Sequence, residues 1–374
     1  MSDTREFDLV LQGATGFTGR RAARELCERA PRSLRWAIAG RSSERVKALG
    51  EELGVPIIVA DNLDSGAVNG MAARSRVVLT TAGPFSRYGT LLVDACVQNQ
   101  THYADLTGEL PWIDGVIERH HETCVGQGTA IVPCAGFDSV PTDVGVHELR
   151  EEVGGSVPIH GFVSIRGGVN GGTLHSGLAL GEQGALHVDT TTKPAGPSVF
   201  SVPILEGWAA PFLMAPVNEY VVRRTEQLLA TGPSGAEEAA TYSEYLFTRN
   251  RLQAHFMSGL LSLVNGMLGC GVGRSILRAF GPKPGRGPSE RSIAGGFARL
   301  QLIAGPLDAP IARRDWMWSG DPSNLITVRC LVQTGLALAA GEAQRGGVLT
   351  PVAALGGTLF ERLRECGAVT AHGQ

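Results

Sequence analysis

Residues 7–19, FDLVLQGATGFTG, constrain the fold of this chain more than any other stretch. A short apolar run is followed by Gly13, Gly16 and Gly19, which are three residues apart. This pattern is typical of a tight turn between a strand and a helix, where free N–H groups at the helix start bind a pyrophosphate. Because the spacing is GxxGxxG and not GxGxxG, the motif alone also allows a glycine-rich turn of another α/β protein.

A second apolar strand is expected at residues 34–41, LRWAIAGR, about twenty residues later. Dinucleotide-binding folds read the adenosine ribose at this position, and NAD sites carry an acidic residue there. Here the strand ends in Gly40, Arg41, Ser42 and Ser43. Arg41 is suited to pair with a 2′-phosphate, and the two serines can donate to it, so the sequence favours NADP over NAD. The alternative is an ordinary solvated loop arginine.

Further apolar strands are expected at residues 56–60, 76–81, 102–105 and 129–133, with helical segments between them. This alternation predicts an α/β fold, with an N-terminal Rossmann domain built on a doubly wound parallel sheet over residues 1–145. The alternation then stops. Strands are expected at 157–166, 218–225 and 298–303, and we predict a second, α+β domain over residues 146–374 for substrate binding or dimerisation.

Loops that follow the later strands of the first domain are expected at one edge of the sheet. The first of them, Thr81-Ala82-Gly83-Pro84, is expected beside the nicotinamide, although a plain Gly-Pro turn is the alternative. The next two loops carry polar side chains that could orient a substrate or move protons there: Tyr103, Asp105, Thr107, Glu109, Asp138, Ser139 and Asp143. The alternative is helix capping, by Thr142 or Asp143 for a helix at 144–151 and by Glu109 in the first turn of its own helix.

Composition excludes several classes of protein. With 43% hydrophobic residues, 18% charged residues and a net charge of −3, the chain is globular and has no general attraction for nucleic acid. Its seven cysteines are dispersed without CxxC spacing, which indicates reduced thiols, a cytoplasmic location and no metal site. The N-terminus MSDTREFD lacks an apolar segment, so no signal peptide is expected.

Residues 252–273 contain no Lys, Arg, Asp or Glu and are long enough to span a bilayer. Gln253, His255 and Asn265 dilute this stretch, so a buried helix pair, or an apolar surface for an acyl chain or a membrane face, is favoured. Near the C-terminus, Thr350 is expected to cap a helix that begins at Pro351 and packs back on the body of the protein.

Several motifs together resemble the saccharopine dehydrogenase-like oxidoreductases, and specifically the trans-acting enoyl reductases of polyketide lipid assembly. The N-terminal motifs are FDLVLQGATGFTG, AGRSSER, VVLTTAGPFSRYG, HYADLTGE and CAGFDSVPTDVG. APVNEYVVRR, TYSE, KPGRGPS and GVLTPVAALG extend the resemblance, more sparsely, toward the C-terminus. The chain departs from the family pattern in being shorter after Gly184 and in carrying His175.

The resemblance implies an NADPH-dependent reductase. Its substrate would be an α,β-unsaturated thioester, held on CoA or on a carrier domain of a polyketide synthase that lacks a working enoyl reductase. A homodimer and peripheral membrane contact are also expected. The implied cofactor contacts are Gly13, Thr15, Gly16, Phe17 and Gly19 for the phosphates, Arg41 and Ser42 for the 2′-phosphate, and Thr81, Ala82, Gly83 and Pro84 beside the nicotinamide.

Enoyl reduction requires a hydrogen-bond donor for the developing enolate and a proton for the α carbon. Tyr103, Ser139 and Thr173 are the candidate donors, and Asp138 is a candidate orienting residue or proton relay. Two other functions stay open. A saccharopine-type imine or amino-acid dehydrogenase would use Arg166, Arg223 and Arg224 to bind charged groups, and a non-catalytic, membrane-associated subunit would bind NADP without oxidising it.

Overall fold

The computed structural model describes residues 5–168, 170–182, 198–230, 241–283, 285 and 287–371. The strands in these ranges are β1 (Phe7–Gln12), β2 (Trp36–Gly40), β3 (Ile57–Val59), β4 (Ser75–Thr80), β5 (His102–Ala104), β6 (Ala130–Val132), β7 (Ile159–Arg166), β8 (Phe200–Val202), β9 (Gly207–Pro211), β10 (Tyr242–Thr248), β11 (Phe297–Ala304), β12 (Ala312–Ser319), β13 (Gly347–Val348) and β14 (Val369–Ala371).

The α-helices in the same ranges are α1 (Phe17–Arg29), α2 (Ser43–Leu53), α3 (Ser65–Ala73), α4 (Phe85–Tyr88), α5 (Thr90–Gln98), α6 (Leu110–Gln127), α7 (Val140–Val153), α8 (Gly171–Glu182), α9 (Ala215–Leu229), α10 (Arg251–Gly269), α11 (Gly271–Phe280), α12 (Glu290–Ala294), α13 (Thr327–Ala339), α14 (Pro351–Leu355) and α15 (Thr358–Glu365). The segment after Gly184, where the chain departs from the family pattern, lies outside the described residues.

Sheet A has the strand order β13-β6-β5-β4-β1-β2-β3, and its strands pair in parallel. Successive side chains of a strand point to opposite faces, and both faces of this sheet are covered. Leu9 and Leu11 of β1 join one buried cluster, whereas Val10 joins the other. This layered arrangement confirms the predicted α/β class with a doubly wound sheet.

The C-terminal part of the chain returns to sheet A. Strand β13 pairs with β6, and α13, which is buried along most of its length, contacts α1, β4 and β5. A Cβ on Gly335 of α13 would lie 2.5 Å from a Leu79 side-chain carbon, so this position needs glycine for close packing. The boundary expected at residue 145 falls inside α7, which continues from sheet A into the second half of the molecule.

Sheet B has the order β14-β12-β11-β7-β10-β9-β8, with β7 and β10 parallel and the other neighbouring pairs antiparallel. Helix α7 packs against β11 and β12 and thereby joins the two sheets. The Trp316 ring meets Phe360 of α15 edge to face at 5.5 Å. The second half of the chain is therefore α+β, as predicted, with its core continuous with one face of sheet A.

The strand expected at residues 218–225 is wrong, because this segment lies inside helix α9. Pro216 stands in its first turn, where a proline is tolerated, and Val217 and Val221 are buried one helical turn apart. The β-branched residues that suggested a strand form the buried stripe of a helix, so packing overrides their local preference.

Two other expectations concern the C-terminal half. Thr350 caps α14 by accepting from the Ala353 N–H at 3.2 Å, with Pro351 as the first helical residue, as predicted. Residues 252–273 span parts of α10 and α11, whose axes are bent by 106°. No single helix in the described ranges is long and apolar enough to cross a membrane, but this bent pair meets the length and composition criteria together.

Candidate functional site

The turn after β1 has a backbone that only glycine allows at two positions. Gly13 has φ +80°, in the region that favours glycine. A Cβ on Gly19 would lie 2.1 Å from the Gly13 carbonyl oxygen, much closer than non-bonded atoms approach. The N–H groups of Gly13 and Ala14 donate to the Ala39 carbonyl at 3.0 and 3.1 Å, which holds the turn against β2.

Helix α1 begins directly after this turn, with Gly16 as its N-cap. Within the described part of the chain, no side chain caps this end of the helix, and its first turn contains no acidic residue. The first N–H groups of a helix have no partner inside it and lie at the positive end of its dipole. The arrangement therefore fits a dinucleotide pyrophosphate, with Thr15 half-buried at its side.

The tip of β2 carries the groups expected to read the adenosine ribose. Arg41 is exposed there, and Ser42 caps α2 by accepting from the Arg45 N–H at 3.4 Å. The Arg45 guanidinium donates to the Thr15 carbonyl at 2.9 Å, which places a second cation beside the phosphate turn. Sequence reasoning missed Arg45, although it lies only four residues beyond Arg41.

Phe17 packs between two other residues. The Arg21 guanidinium lies over its ring at 4.0 Å from the centroid, and a Cβ on Gly287 would lie 2.3 Å from a ring carbon. Arg21 also pairs with Glu290, which begins α12. The Phe17 ring thus packs α1 against the segment before α12. Its backbone N–H is one of the first N–H groups of α1.

The loop after β4 is held by a buried carboxylate. Glu109, which is 1% exposed, accepts from the N–H groups of Phe85 at 2.8 Å and Ser86 at 3.0 Å. It does not cap its own helix with its side chain but stabilises the start of α4. Thr81 donates its hydroxyl to the Gly13 carbonyl at 3.2 Å, so the same loop is tied to the phosphate turn. Ala82, Gly83 and Pro84 lie between these two anchors.

Helix α8 comes from the second half of the chain and faces this loop. The Ser176 hydroxyl donates to a Glu109 carboxylate oxygen at 3.3 Å, and a Cβ on Gly83 would lie 3.6 Å from the same hydroxyl. His175 is bound to the Gly171 carbonyl at 2.8 Å. Thr173 lies in α8, but its side chain is outside the described set. Sequence reasoning missed Ser176, because only the fold brings residues 109 and 176 together.

Two expected site residues at the end of β5 bind each other. The Tyr103 hydroxyl donates to Asp105 at 2.7 Å, and Asp105 also accepts from the Thr107 N–H at 2.9 Å. Both side chains are fully buried. Burial raises the pKa of Asp105 to about 7, although the bond from Tyr103 acts in the opposite direction. Tyr103 thus holds the loop and has no exposed hydroxyl for a substrate.

A buried polar chain runs from the loop after β6 to sheet B. The Ser139 hydroxyl donates to the Asn218 side-chain oxygen at 3.3 Å, and Asn218 donates to Glu244 at 2.6 Å. Glu244 also accepts from the hydroxyls of Thr142 and Tyr242 at 2.7 and 2.8 Å. Burial raises the pKa of Glu244 to about 7. Ser139 is therefore an internal partner of α9.

Asp138 and Asp143 have different environments. Asp138 is half-buried, and burial raises its pKa to about 6. Asp143 lies inside α7, where it accepts from Thr225 and, at 2.9 Å, from the N–H of Val352 at the start of α14. Neither Thr142 nor Asp143 caps α7, whose N-cap is Ser139, so the capping alternative is wrong. Asp143 fastens α7 to α9 and α14.

Among the residues that the structure describes, no group of three or more His, Cys, Asp or Glu is placed to hold a metal ion. All seven cysteines are free, and Cys27 and Cys270 are the exposed ones.

Comparison with known proteins gives a consistent result. The saccharopine dehydrogenase NADP binding domain model matches residues 9–132. A Mycobacterium tuberculosis protein named as a candidate trans-acting enoyl reductase is 35% identical over 408 residues, covering 97% of this chain and 96% of the relative. A trans-acting enoyl reductase of Mycobacterium bovis is 33% identical over 411 residues, covering 98% and 97%.

Solved structures share the fold at low sequence identity. Saccharopine dehydrogenase (L-Glu forming) of Saccharomyces cerevisiae superposes with a TM-score of 0.61 at 13% identity, covering 97% of this chain and 98% of that one. Homospermidine synthase of Legionella pneumophila, in complex with NAD, gives a TM-score of 0.56 at 9% identity, with 99% and 92% covered. These likenesses concern the architecture of both sheets, since they extend over nearly the whole chain.

Proposed function

This chain belongs to the saccharopine dehydrogenase-like oxidoreductases, in the trans-acting enoyl reductase subfamily, and from that membership we propose that it reduces an α,β-unsaturated acyl thioester with NADPH. Its N-terminal domain is an NADP-binding domain. The turn with Gly13, Gly16 and Gly19 would hold the pyrophosphate, and Arg41 with Ser42 would hold the 2′-phosphate. Arg45 is added to this second set, because it bonds the same turn.

One observation carries the proposal: a hydroxyl of α8 lies against the loop after β4, which we expect beside the nicotinamide. Glu109 fixes this loop through two backbone N–H groups and accepts from Ser176 as well. A carboxylate that accepts from three donors is rigidly placed, and it holds the Ser176 hydroxyl in place with it. An active site stabilises developing charge with donors that are held in place in this way. The contact thus joins the cofactor domain to the domain proposed to bind substrate.

The roles of the residues follow from their contacts. Bound NADPH supplies the hydride. We assign Ser176 as a donor to the thioester carbonyl oxygen, since its hydroxyl can rotate away from Glu109 toward a ligand. Thr173, three residues earlier in α8, stays a candidate donor, and Asp138, with its raised pKa, stays the candidate proton relay. Tyr103 and Ser139 receive positioning roles, because their hydroxyls are internally bonded.

The finer features of the proposal concern substrate delivery. The relatives are named trans-acting, which supports a thioester on CoA or on a carrier domain of a separate polyketide synthase. We also propose a homodimer and a cytoplasmic location. Sedimentation with and without an isolated carrier domain tests the carrier-bound substrate and the homodimer. A single species of one-chain mass under both conditions contradicts both.

The test is the loss of NADPH absorbance with medium and long 2-enoyl thioesters, measured on the full chain. Oxidation that depends on the thioester is expected, and replacing Ser176 by Ala should lower turnover about tenfold or more. Ser275→Ala is the matched control, because this serine is exposed on α11 and, among the residues that the structure describes, bonds the Gly271 carbonyl of its own helix. NADPH binding without oxidation over the whole panel would refute enoyl reduction and support the non-catalytic alternative.

The same assay with saccharopine and related imines tests the amino-acid dehydrogenase alternative. That reaction requires cations that converge on the substrate. Arg223 and Arg224 lie in α9, and Arg224 contacts His121, which accepts from the Val348 N–H. Arg166, the third candidate cation, is the last residue of β7. The assay with imines therefore decides between the two substrates.

A further inference from the structure

Helices α10 and α11 form a bent hairpin whose outer face is apolar and exposed. The large exposed side chains are Leu252, Phe256, Leu260 and Leu263 on α10 and Val272, Ile276 and Phe280 on α11. The most exposed of them, Leu252 and Phe280, are 83% and 87% exposed. A contiguous apolar surface of this kind normally marks a contact with a membrane or another molecule.

The exposed residues recur every three or four positions, so they line one side of each helix. Helix α10 uses its opposite side for packing: Ala254 and Leu268 are buried, and the helix contacts α8 and β9. It is thus apolar on both sides, although only the inner side is covered by described parts of the chain. The outer side has a composition that folding of those parts does not explain.

The segment of the sequence that contains the hairpin carries charge of one sign. Between Glu244 and Glu290 the sequence contains five arginines and one lysine but no aspartate or glutamate, in a chain with net charge −3. Arg249 and Arg251 stand at the start of α10, and Lys283 follows α11. Arg278 of α11 pairs with Glu182 at the end of α8, which neutralises one of these charges. Two copies packed through this face would bring like charges together, whereas an anionic surface would neutralise them.

We propose that the outer face of the α10–α11 hairpin docks on the surface of an anionic lipid bilayer. The two helices lie in the interface, with the seven apolar side chains among the acyl chains and the basic residues at the headgroups. The 106° bend suits this placement, because neither helix alone is both long and apolar enough to cross a membrane. This docking does not depend on the reaction that the enzyme catalyses.

The inner face of the hairpin connects this surface to the candidate site. A Cβ on Gly177 of α8 would lie 3.8 Å from the Leu268 side chain of α10, and Ser176 is the next residue toward the loop after β4. Helix α8 therefore lies between the hairpin and that loop. Docking would place the candidate site near the membrane, where long acyl chains partition.

Co-sedimentation of the purified full chain with sucrose-loaded vesicles tests the proposal. We expect binding to vesicles of phosphatidylcholine and phosphatidylglycerol and much weaker binding to pure phosphatidylcholine. The double variant Phe256→Ser with Leu263→Ser should reduce the partition coefficient about tenfold or more, because both side chains leave the acyl region. Both are exposed, at 68% and 60%, so the variant should keep its fold and its NADPH affinity.

The control variant is Leu63→Ser with Ile311→Ser, which replaces equally apolar residues, 55% and 62% exposed, outside the hairpin. It should bind vesicles as the unchanged protein does. The proposal is overturned if the unchanged chain ignores both kinds of vesicle, or if the two double variants lose binding equally. It is also overturned if the hairpin variant turns a stable dimer into a monomer while vesicle binding is absent, since the face would then be an interface between copies.

Discussion

Replacing Glu109 by Gln keeps the shape of the side chain and removes one of its two acceptor oxygens. In the structure the two oxygens accept separately from the N–H groups of Phe85 and Ser86, and the group is buried. The glutamine amide would face one of these N–H groups with a donor. The variant thus loses one charge-assisted hydrogen bond and leaves a buried donor without a partner, at a cost of about 2 kcal/mol.

This magnitude can be measured as a shift in melting temperature. With an unfolding entropy of about 2.1 cal/mol/K per residue, 2 kcal/mol lowers the melting temperature of a chain of this length by about 2–3 °C. The functional effect should be larger, because the loop after β4 loses one of its anchors and the Ser176 hydroxyl loses a charged acceptor. We expect turnover to fall about tenfold or more, with a smaller change in NADPH affinity.

The matched control is Glu118→Gln, which makes the same chemical change on an exposed face of the same helix. It should leave melting temperature and turnover unchanged, since exposed carboxylates contribute little. Calorimetry and NADPH oxidation on both variants give the comparison. If the Glu109 variant melts and turns over as the Glu118 variant does, the carboxylate neither anchors the loop nor positions the site, and the reasoning is refuted.

Three further changes test other parts of the structure. Gly19→Ala should destabilise the protein by about 2–3 kcal/mol and abolish tight NADPH binding, because its Cβ would meet the Gly13 carbonyl. Gly126→Ala, which has open space within α6, should instead stabilise the protein slightly and leave NADPH binding unchanged. Arg41→Ala should weaken NADPH binding roughly 10- to 100-fold and leave NADH binding unchanged, which titration of both nucleotides measures. Burial raises the pKa of Asp143 to about 7, so its contribution to stability is full below about pH 4 and is lost as pH rises toward 7. Asp143→Asn should therefore reduce the fall in melting temperature between about pH 4 and pH 7. A variant whose melting temperature falls with pH as it does in the unchanged protein would contradict the raised pKa of Asp143.

The sequence predicted the first domain well because its strands are continuous apolar runs. All six expected strands from β1 to β6 are present with small differences at their ends. A strand that is buried on both faces is a continuous apolar run, which is easy to recognise in a sequence. The phosphate turn was predictable because its glycines act locally.

The second domain was less predictable, because its strands depend on partners far away in sequence. Strands β8, β9, β10, β12, β13 and β14 have no counterpart in the sequence analysis. Strand β13 has only two residues and exists because β6 lies beside it. The same reason explains the missed site residues. Glu109 was recognised as an acidic loop residue, but its partners Phe85 and Ser176 are 24 and 67 residues away.

Two buried carboxylates connect elements that lie far apart in the sequence next to the candidate site. Glu244 joins β10 to α7 and α9, and Asp143 joins α7 to α9 and α14. Each of these groups suffers a desolvation penalty that an apolar side chain would avoid, and their raised pKa values have the same cause. An apolar contact could supply the stability, but we expect these directional hydrogen bonds to restrict the rotation of α7 against the other helices. Since the loop with Asp138 enters α7 directly, fixing that helix fixes the half-buried carboxyl proposed to relay the proton.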